Sequence, residues 1–136
     1  MHKLKKRINF YDCDPAGILF YGRIFELCHS AYEDLIRSFN LKSDYWNNDE
    51  YAVPIIHTEG DYILPLKPGD EVTVEVRVSR LKESSFELSY DCKNSIGEIT
   101  NQVKTVHIFV DKKKWKKTPI IDEVRSGLQH HSVQNG

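Results

Sequence analysis

The positions of apolar and polar residues divide the chain into one helical segment and several alternating segments. Over residues 21–39, apolar side chains recur at intervals of three and four, which is the spacing of one helix face. They cover about half of a 3.6-residue wheel, which is wider than a surface helix needs. The pattern predicts a long helix that is deeply embedded, as if a sheet curved around it. The apolar positions are Ile24, Phe25, Leu27, Cys28, Ala31, Tyr32, Leu35, Ile36 and Phe39.

Most other apolar residues alternate with polar ones, as in strands with one buried and one solvent-facing side. The alternation is clearest over residues 72–79 and 86–93, and residues 94–98 predict a hairpin turn into a further strand that ends near Val110. Residues 4–11 predict a short first strand, and residues 53–66 predict another extended segment. A strand, a long helix and then about four antiparallel strands indicate an α+β fold with one sheet and one principal helix.

The length of 136 residues suits one domain with its own core. We predict a domain over residues 1–125 and a flexible polar tail over residues 126–136. The formal net charge of −1 gives no reason to expect attraction to nucleic acid or anionic membranes. The sequence shows neither a run of roughly 20 apolar residues nor a signal peptide. We therefore expect a cytoplasmic protein that binds no nucleic acid and does not insert into a membrane.

The three cysteines, Cys13, Cys28 and Cys92, occur at unrelated spacings. An odd number at irregular spacing fits reduced thiols better than a disulfide framework or a metal site. The sequence therefore predicts neither a metal nor a redox cofactor.

Two carboxylates stand where the first predicted strand gives way to the helix. Asp12 and Asp14 flank Cys13, Pro15 disfavours helical geometry at Asp14, and Gly17 permits a tight backbone path. Most Asp-x-Asp pairs are solvated turns that accept backbone hydrogen bonds. The alternative is a catalytic carboxylate near a helix start, where free N–H groups and the helix dipole stabilise an oxyanion. Such a carboxylate attacks a carbonyl or directs water at it.

Other chemistries of this segment find less support. A calcium loop would need an oxygen ligand at Ala16 and an acid at Arg23. An aspartyl-phosphate phosphotransferase needs a parallel sheet with several helices, whereas the strand pattern here is antiparallel. Cys13 lies between two carboxylates, which raise a thiol pKa and suppress the thiolate. A Ser-His-Asp triad has no local support because the chain contains no Gly-x-Ser-x-Gly segment.

Residues 12–18, Asp-Cys-Asp-Pro-Ala-Gly-Ile, precede a Phe-Tyr pair and a long helix, and this arrangement resembles the 4-hydroxybenzoyl-CoA thioesterase family. Members of that family have the hotdog fold, in which a curved antiparallel sheet wraps one long helix. Residues 27–33, Leu-Cys-His-Ser-Ala-Tyr-Glu, look like the signature of its 1,4-dihydroxy-2-naphthoyl-CoA thioesterases. Residues 52–58 and 65–70 are similar to the same subfamily.

The resemblance implies roles for individual residues. Asp14 matches the catalytic carboxylate, and Tyr21 matches the residue whose backbone N–H polarises the thioester carbonyl. Gly17 lets the loop pass close to the substrate. His29 stands where many relatives carry an acidic residue facing the acyl group, which argues against simple transfer of 4-hydroxybenzoyl specificity. His29 either hydrogen-bonds a polar substituent of an aromatic acyl group or is a core-edge histidine satisfied by the backbone.

Two further sets of residues are candidates for binding. In the hotdog fold, His57 and Thr58 lie in a strand near the site across a dimer interface, although His57 alone is more typical of a structural residue. A basic cluster at residues 111–117 either docks the phosphates of coenzyme A or is a solvated strand end with charged edge residues. Its candidate contact residues are Lys113, Lys114, Trp115 (for stacking on adenine) and Lys116.

Together these features predict an acyl-CoA thioesterase with a hotdog fold. The first expectation for its substrate is 1,4-dihydroxy-2-naphthoyl-CoA, which implies a place in menaquinone or phylloquinone biosynthesis. The thioester is itself the substrate, so no cofactor is implied. Family members are dimers or dimers of dimers with sites built from two chains, and we expect a homotetramer. Two alternatives are open: a thioesterase for short or medium fatty acyl-CoA, and a non-catalytic acyl-CoA-binding protein, against which Asp14 argues.

Overall fold

A five-stranded antiparallel sheet and one long helix form the centre of the protein, in a computed structural model that describes residues 1–132. The strands are β1 (His2–Arg7), β3 (Ile55–Tyr62), β4 (Glu71–Leu81), β5 (Ser85–Lys93) and β6 (Ile99–Ile108). Their order across the sheet is β1-β4-β5-β6-β3, and each neighbouring pair is antiparallel. The α+β architecture predicted from the sequence is confirmed.

The long helix, α1, runs from Arg23 to Ser38 and packs against β4 and β1. Its predicted apolar face is the face that is buried, and Ala31 and Leu35 at its centre are fully enclosed. The four valines of β4 at positions 72, 74, 76 and 78 are also fully buried, which confirms the predicted alternation. Burying each such side chain contributes about 1.5–3 kcal/mol. This contact therefore contributes several kcal/mol to the stability of the fold.

Helix α1 begins two residues later than the predicted start at residue 21. Tyr21 and Gly22 form a turn that is closed by the hydrogen bond from Arg23 N to Phe20 O at 2.9 Å. Glu26 in the first turn and Arg37 in the last turn both lie where the helix dipole favours their charge. Within residues 1–132, no helix is long and apolar enough to cross a membrane.

Strand β3 forms one edge of the sheet, and seven of its eight residues are exposed. On its inner side it pairs with β6, and a bulge shifts the register between Ile55 and His57. Gly60 lies opposite the buried Val103, and a Cβ at Gly60 would be 3.6 Å from the Phe25 ring of α1. Within residues 1–132, no strand pairs with the other side of β3.

Three two-residue strands form a second sheet. They are β2 (Tyr51–Ala52), β7 (Val110–Asp111) and β8 (Lys116–Lys117), in the order β2-β7-β8. Sequence alternation does not predict them, because two residues are too few to show a period.

A second helix, α2 (Asp122–Gln129), corrects the predicted domain boundary. The sequence predicts a flexible tail from residue 126, but α2 crosses that position, and Val124 and Leu128 are fully buried. Beyond α2, Val78 N donates a hydrogen bond to His131 O at 2.8 Å. The packed domain therefore continues past residue 125, because two apolar residues one helical turn apart anchor α2 to the core. The rest of the predicted tail, residues 133–136, lies outside the described residues.

Gly127 provides a test of how α2 packs against the end of α1. A Cβ added to Gly127 would lie 2.5–2.6 Å from ring atoms of Phe39. In an unobstructed helix, replacing glycine by alanine stabilises by about 1 kcal/mol. Because of the clash, we expect Gly127→Ala to lower the free energy of unfolding in urea by about 1–3 kcal/mol. In a Phe39→Ala background the same change should stabilise, and stabilisation of the otherwise unchanged protein would contradict the described packing.

Candidate active site

Asp14 begins a tight turn that precedes the segment leading into α1. Gly17 N donates to Asp14 O at 2.9 Å, and Ala16 N donates to Asp14 Oδ1 at 2.9 Å. Gly17 has a φ of 81°, in the left-handed region that favours glycine. The carboxylate is thus held through one oxygen, while Oδ2 makes no hydrogen bond within residues 1–132. An oriented carboxylate with one uncommitted oxygen can attack a carbon atom or take a proton from water.

Asp12 has a different role from Asp14. Its Oδ2 accepts a hydrogen bond from Asn9 N at 2.9 Å, which caps the 3₁₀ turn at Phe10–Asp12. Its backbone oxygen accepts a hydrogen bond from Phe20 N at 2.9 Å. Asp12 therefore joins the turn to the chain entering α1, and the two acids divide into one structural residue and one available residue.

Cys13 is held as a neutral thiol. Partial burial raises its pKa, and the negative charges of Asp12 and Asp14 raise it further. The thiolate needed for nucleophilic attack is therefore suppressed, as the sequence predicts. Within residues 1–132, no group of three or more His, Cys, Asp or Glu side chains is arranged to hold a metal ion.

The start of α1 presents backbone N–H groups without a side-chain cap. Gly22 is the N-cap residue and has no side chain that could accept from them. The N–H of Tyr21 donates no hydrogen bond within residues 1–132, and the Tyr21 ring is largely exposed. Tyr62 Oη donates to Tyr21 O at 2.5 Å, which fixes the orientation of the following peptide. These N–H groups and the helix dipole can stabilise negative charge on a bound oxygen.

His29 lies in the middle of α1 in an aromatic environment. Its Nδ1 is 2.9 Å from Glu33 Oε2, and its ring is 5.3 Å from Tyr32 and 6.2 Å from Trp46. The side chain of His29 is 41% exposed, so it can still contact a ligand. The partner of His29 is thus a side-chain carboxylate and not a backbone group, as the alternative of a core-edge histidine would require. Six residues separate His29 from Arg23, the first residue of α1, or about 9 Å along the helix axis.

The structure separates the two candidate residues of β3. Residues directly opposite each other in antiparallel strands share a face of the sheet. Thr58 is opposite the buried Thr105 and so lies on the helix side, whereas His57 is opposite Val106 on the outer side. His57 Nε2 is 3.2 Å from Glu59 Oε1, an outward neighbour. Within one chain, therefore, Thr58 faces the same side as α1 and His57 does not.

The basic cluster forms the hairpin that links β7 and β8. Backbone N–H groups of Lys114 and Lys113 lower the pKa of the Asp111 carboxyl that closes the turn. Trp115 is exposed and has a φ of 52°. The hairpin is hydrogen-bonded to the loop before β2 through Lys112 N and Glu50 O at 2.9 Å. Its contacts are thus with this loop and not with the Asp14 turn.

A cavity of about 250 Å³ adjoins the Asp14 turn. It contains two residues that sequence analysis missed, Tyr62 and Asn101, which lie opposite each other on β3 and β6. The sequence does mark Asn101 as a polar residue at an inward position of an alternating strand. In contrast, no local sequence pattern indicates that Tyr62 lies beside Tyr21. The lining residues are Ile18, Leu19, Tyr62, Ile63, Leu64, Pro65, Leu66 and Asn101.

Comparison with known proteins agrees with this geometry. The family model described as the thioesterase-like superfamily matches residues 8–128. The chain belongs to this superfamily. It is 30% identical over 128 residues to a 1,4-dihydroxy-2-naphthoyl-CoA hydrolase from Trichodesmium erythraeum, covering 91% of this chain and 92% of the relative. A hydrolase with the same name from Rippkaea orientalis is 27% identical over 137 residues, covering 95% and 96%.

A solved structure agrees as well. The crystal structure of a 1,4-dihydroxy-2-naphthoyl-CoA thioesterase from Synechocystis matches with a TM-score of 0.88 at 20% identity. The match covers 94% of this chain and 95% of that one. The predicted hotdog fold and the predicted family resemblance are both confirmed.

Cys13 gives a direct test of the local charges in this member of the superfamily. Cys28 and Cys92 are buried, so alkylation of the folded protein by iodoacetamide reports on Cys13. Asp12→Asn removes one negative charge, and we expect it to lower the thiol pKa. A decrease of half a unit would raise the alkylation rate at pH 8 by about threefold. Asp61→Asn, which removes an exposed carboxylate on the outer side of β3, should leave the rate unchanged. An unaltered rate in Asp12→Asn would contradict the charge effect.

Proposed function

We propose that this protein hydrolyses an aromatic acyl-CoA thioester and that 1,4-dihydroxy-2-naphthoyl-CoA is its substrate. The observation that carries the proposal is the Asp14 turn, where a carboxylate with one uncommitted oxygen precedes the uncapped start of α1. The superfamily match and the two relatives named as 1,4-dihydroxy-2-naphthoyl-CoA hydrolases support the choice of reaction and substrate. Such a reaction would place the protein in quinone biosynthesis.

The mechanism uses the two halves of this site on one carbonyl group. The thioester oxygen binds at the N–H groups of Tyr21 and Gly22, where developing negative charge meets the positive end of α1. Asp14 either attacks the carbonyl carbon or removes a proton from an attacking water. The C–S bond then breaks, coenzyme A leaves as a thiolate, and water supplies the oxygen and protons of the products. These steps need neither a metal nor a redox cofactor.

The aromatic surroundings of His29 support an aromatic acyl group. Trp46 offers an exposed ring next to the buried Tyr32, and the pair of His29 and Glu33 offers polar atoms to a ring hydroxyl or carboxylate. An aliphatic chain would contact the Trp46 ring but would make no use of the polar atoms of this pair. We therefore assign His29 to recognition of the acyl group and not to the chemical step.

A complete site needs a second copy of the chain. The free edge of β3 can pair with β3 of another copy and so continue the sheet. Because His29 lies about 9 Å along α1 from Arg23, where the helix starts, it is separated from the carbonyl site within one chain. A two-fold axis at β3 would bring His29 of the second copy toward the Asp14 turn. Assembly of such dimers into the expected homotetramer stays a prediction.

The basic hairpin is our candidate for docking the nucleotide of coenzyme A. Lys113, Lys114 and Lys116 are exposed cations that suit its phosphates, and Trp115 is an exposed ring that suits adenine.

We place the reaction in the cytoplasm, since all three cysteines are free thiols, as in a reducing compartment.

Asp14→Asn tests the chemical step. The substitution keeps the shape of the side chain but removes the charge, and we expect kcat for 1,4-dihydroxy-2-naphthoyl-CoA to fall by about 10²- to 10⁴-fold. The matched control is Asp12→Asn, whose amide oxygen can still accept from Asn9 N, and it should keep most of the activity. Release of coenzyme A thiol is the measurement. Near wild-type kcat in Asp14→Asn would refute the mechanism.

Mixed oligomers test whether two chains build each site. We expect Asp14→Asn and His29→Ala proteins, unfolded and refolded together in equal amounts, to show more activity than the average of the two separate proteins, at a low substrate concentration where acyl recognition limits the rate. Half of the dimers would be mixed, and each would have one intact site of two, which gives about one quarter of wild-type activity. Mass measurement by light scattering should show a multiple of the 15.9 kDa chain. If both residues act within one chain, mixing will restore nothing.

A further inference from the structure

Asn101 is a buried polar residue that the mechanism above does not use. It lies on the inward face of β6, its side chain is almost fully buried, and Oδ1 accepts no hydrogen bond within residues 1–132. Four residues along the strand, Thr105 Oγ1 is 2.8 Å from Tyr90 Oη and 2.7 Å from His107 Nε2. Buried polar groups in folded proteins normally have partners, so the unpaired amide oxygen of Asn101 requires an explanation.

His107 shows that an unpaired atom alone does not indicate a binding site. Its Nδ1 also lacks a partner within residues 1–132, but its ring lies between Phe86 at 4.6 Å and Tyr32 at 4.4 Å. Burial lowers the pKa of His107 to about 3, so the ring stays neutral in this packed core. Asn101 differs because it lines the cavity beside the Asp14 turn, where a ligand has room to bind.

This cavity is connected to the catalytic turn by backbone hydrogen bonds. Asp14 N donates to Ile18 O at 3.0 Å, and Leu19 N donates to Leu66 O at 2.7 Å. Ile18, Leu19 and Leu66 are therefore walls of the cavity whose positions are fixed relative to Asp14. A group that fills the cavity therefore lies beside the backbone segment that carries Asp14, where we place the acyl part of the thioester.

The lining selects for one kind of group. Most of the walls are aliphatic, and the hydroxyl of Tyr62 already donates to Tyr21 O, which leaves the Asn101 amide as the polar partner on offer. The volume of about 250 Å³ is below the ~300–1,000 Å³ of sites for drug-sized ligands, so it suits an acyl group and not the whole of coenzyme A. The terminal torsion of asparagine is soft, so the amide can turn its oxygen toward the cavity.

We infer that Asn101 determines specificity by accepting a hydrogen bond from a ring hydroxyl of the acyl group. The inference rests on the proposed function and names the feature of the substrate that this cavity recognises. A hydroxylated aromatic acyl group satisfies the amide, whereas an acyl group without a hydroxyl leaves a buried polar group unpaired and is disfavoured.

Asn101→Leu tests this inference because leucine has a similar shape but no amide. The two substrates are 1,4-dihydroxy-2-naphthoyl-CoA and 2-naphthoyl-CoA, which lacks the ring hydroxyls. We expect kcat/KM for the hydroxylated substrate to fall by about 10- to 100-fold, with the value for 2-naphthoyl-CoA within about threefold of wild type. The matched control is Gln102→Leu, which removes the neighbouring amide on the outer face and should leave the substrate preference unchanged. An equal loss for both substrates, or no loss for either, would overturn the inference.

A binding measurement on the wild-type protein tests the role of Asn101 independently of turnover. The side-chain amide signals of Asn101 in an NMR spectrum are assigned by their absence in Asn101→Leu. We expect 1,4-dihydroxy-2-naphthoic acid to shift these signals and 2-naphthoic acid to shift them much less. Equal shifts with both acids would show that the amide does not detect the hydroxyls. If the wild type hydrolysed neither thioester, the proposed function would fail, while this measurement would still decide the role of Asn101.

Discussion

The burial of α1 against the sheet is the constraint on which the rest of the structure depends. The apolar face of the helix is too wide for a surface position. It packs against β1 and β4, and Tyr32 contacts Phe86 of β5 and His107 of β6. Fully buried valines alternate along β4, and Ala31 sits at the centre of the helix face without exposure. Because this packing fixes the helix axis, it also fixes the position of the helix start relative to the sheet. The candidate chemistry depends on that one point, since the free N–H groups are at the helix start.

The two carboxylates in the turn before the helix have different roles. Asp12 uses its side chain on Asn9 and its backbone on Phe20, and it thereby ties the turn to the chain that enters α1. Asp14 keeps one oxygen uncommitted because Ala16 occupies only the other. A carboxylate that also held the turn together through both oxygens would be a poor nucleophile or base. The separation of roles explains how two acids only two residues apart can serve structure and chemistry at once.

One chain contains only part of what the proposed reaction requires. The catalytic turn and the cavity with Asn101 are together at one end of α1, whereas His29 and its aromatic neighbours are midway along the helix. The exposed edge of β3 lies on the side where a second copy can add to the sheet. Acyl recognition at both sides of one ring would then combine residues of two chains.

Local periodicity determined α1 and the alternating strands, because a helix face or a strand face is defined by neighbours in sequence. Pro15 and Gly17 likewise predicted the turn that holds Asp14, and the motif resemblance selected Asp14 over Asp12 and Cys13. The tertiary structure alone decided the outer position of His57, since the bulge in β3 changes its register and a shift of one residue exchanges the faces. It also decided that α2 continues the packed domain and that Asn101 meets Tyr62 beside the catalytic turn. Those relations join strands far apart in sequence, so only the folded chain brings them together.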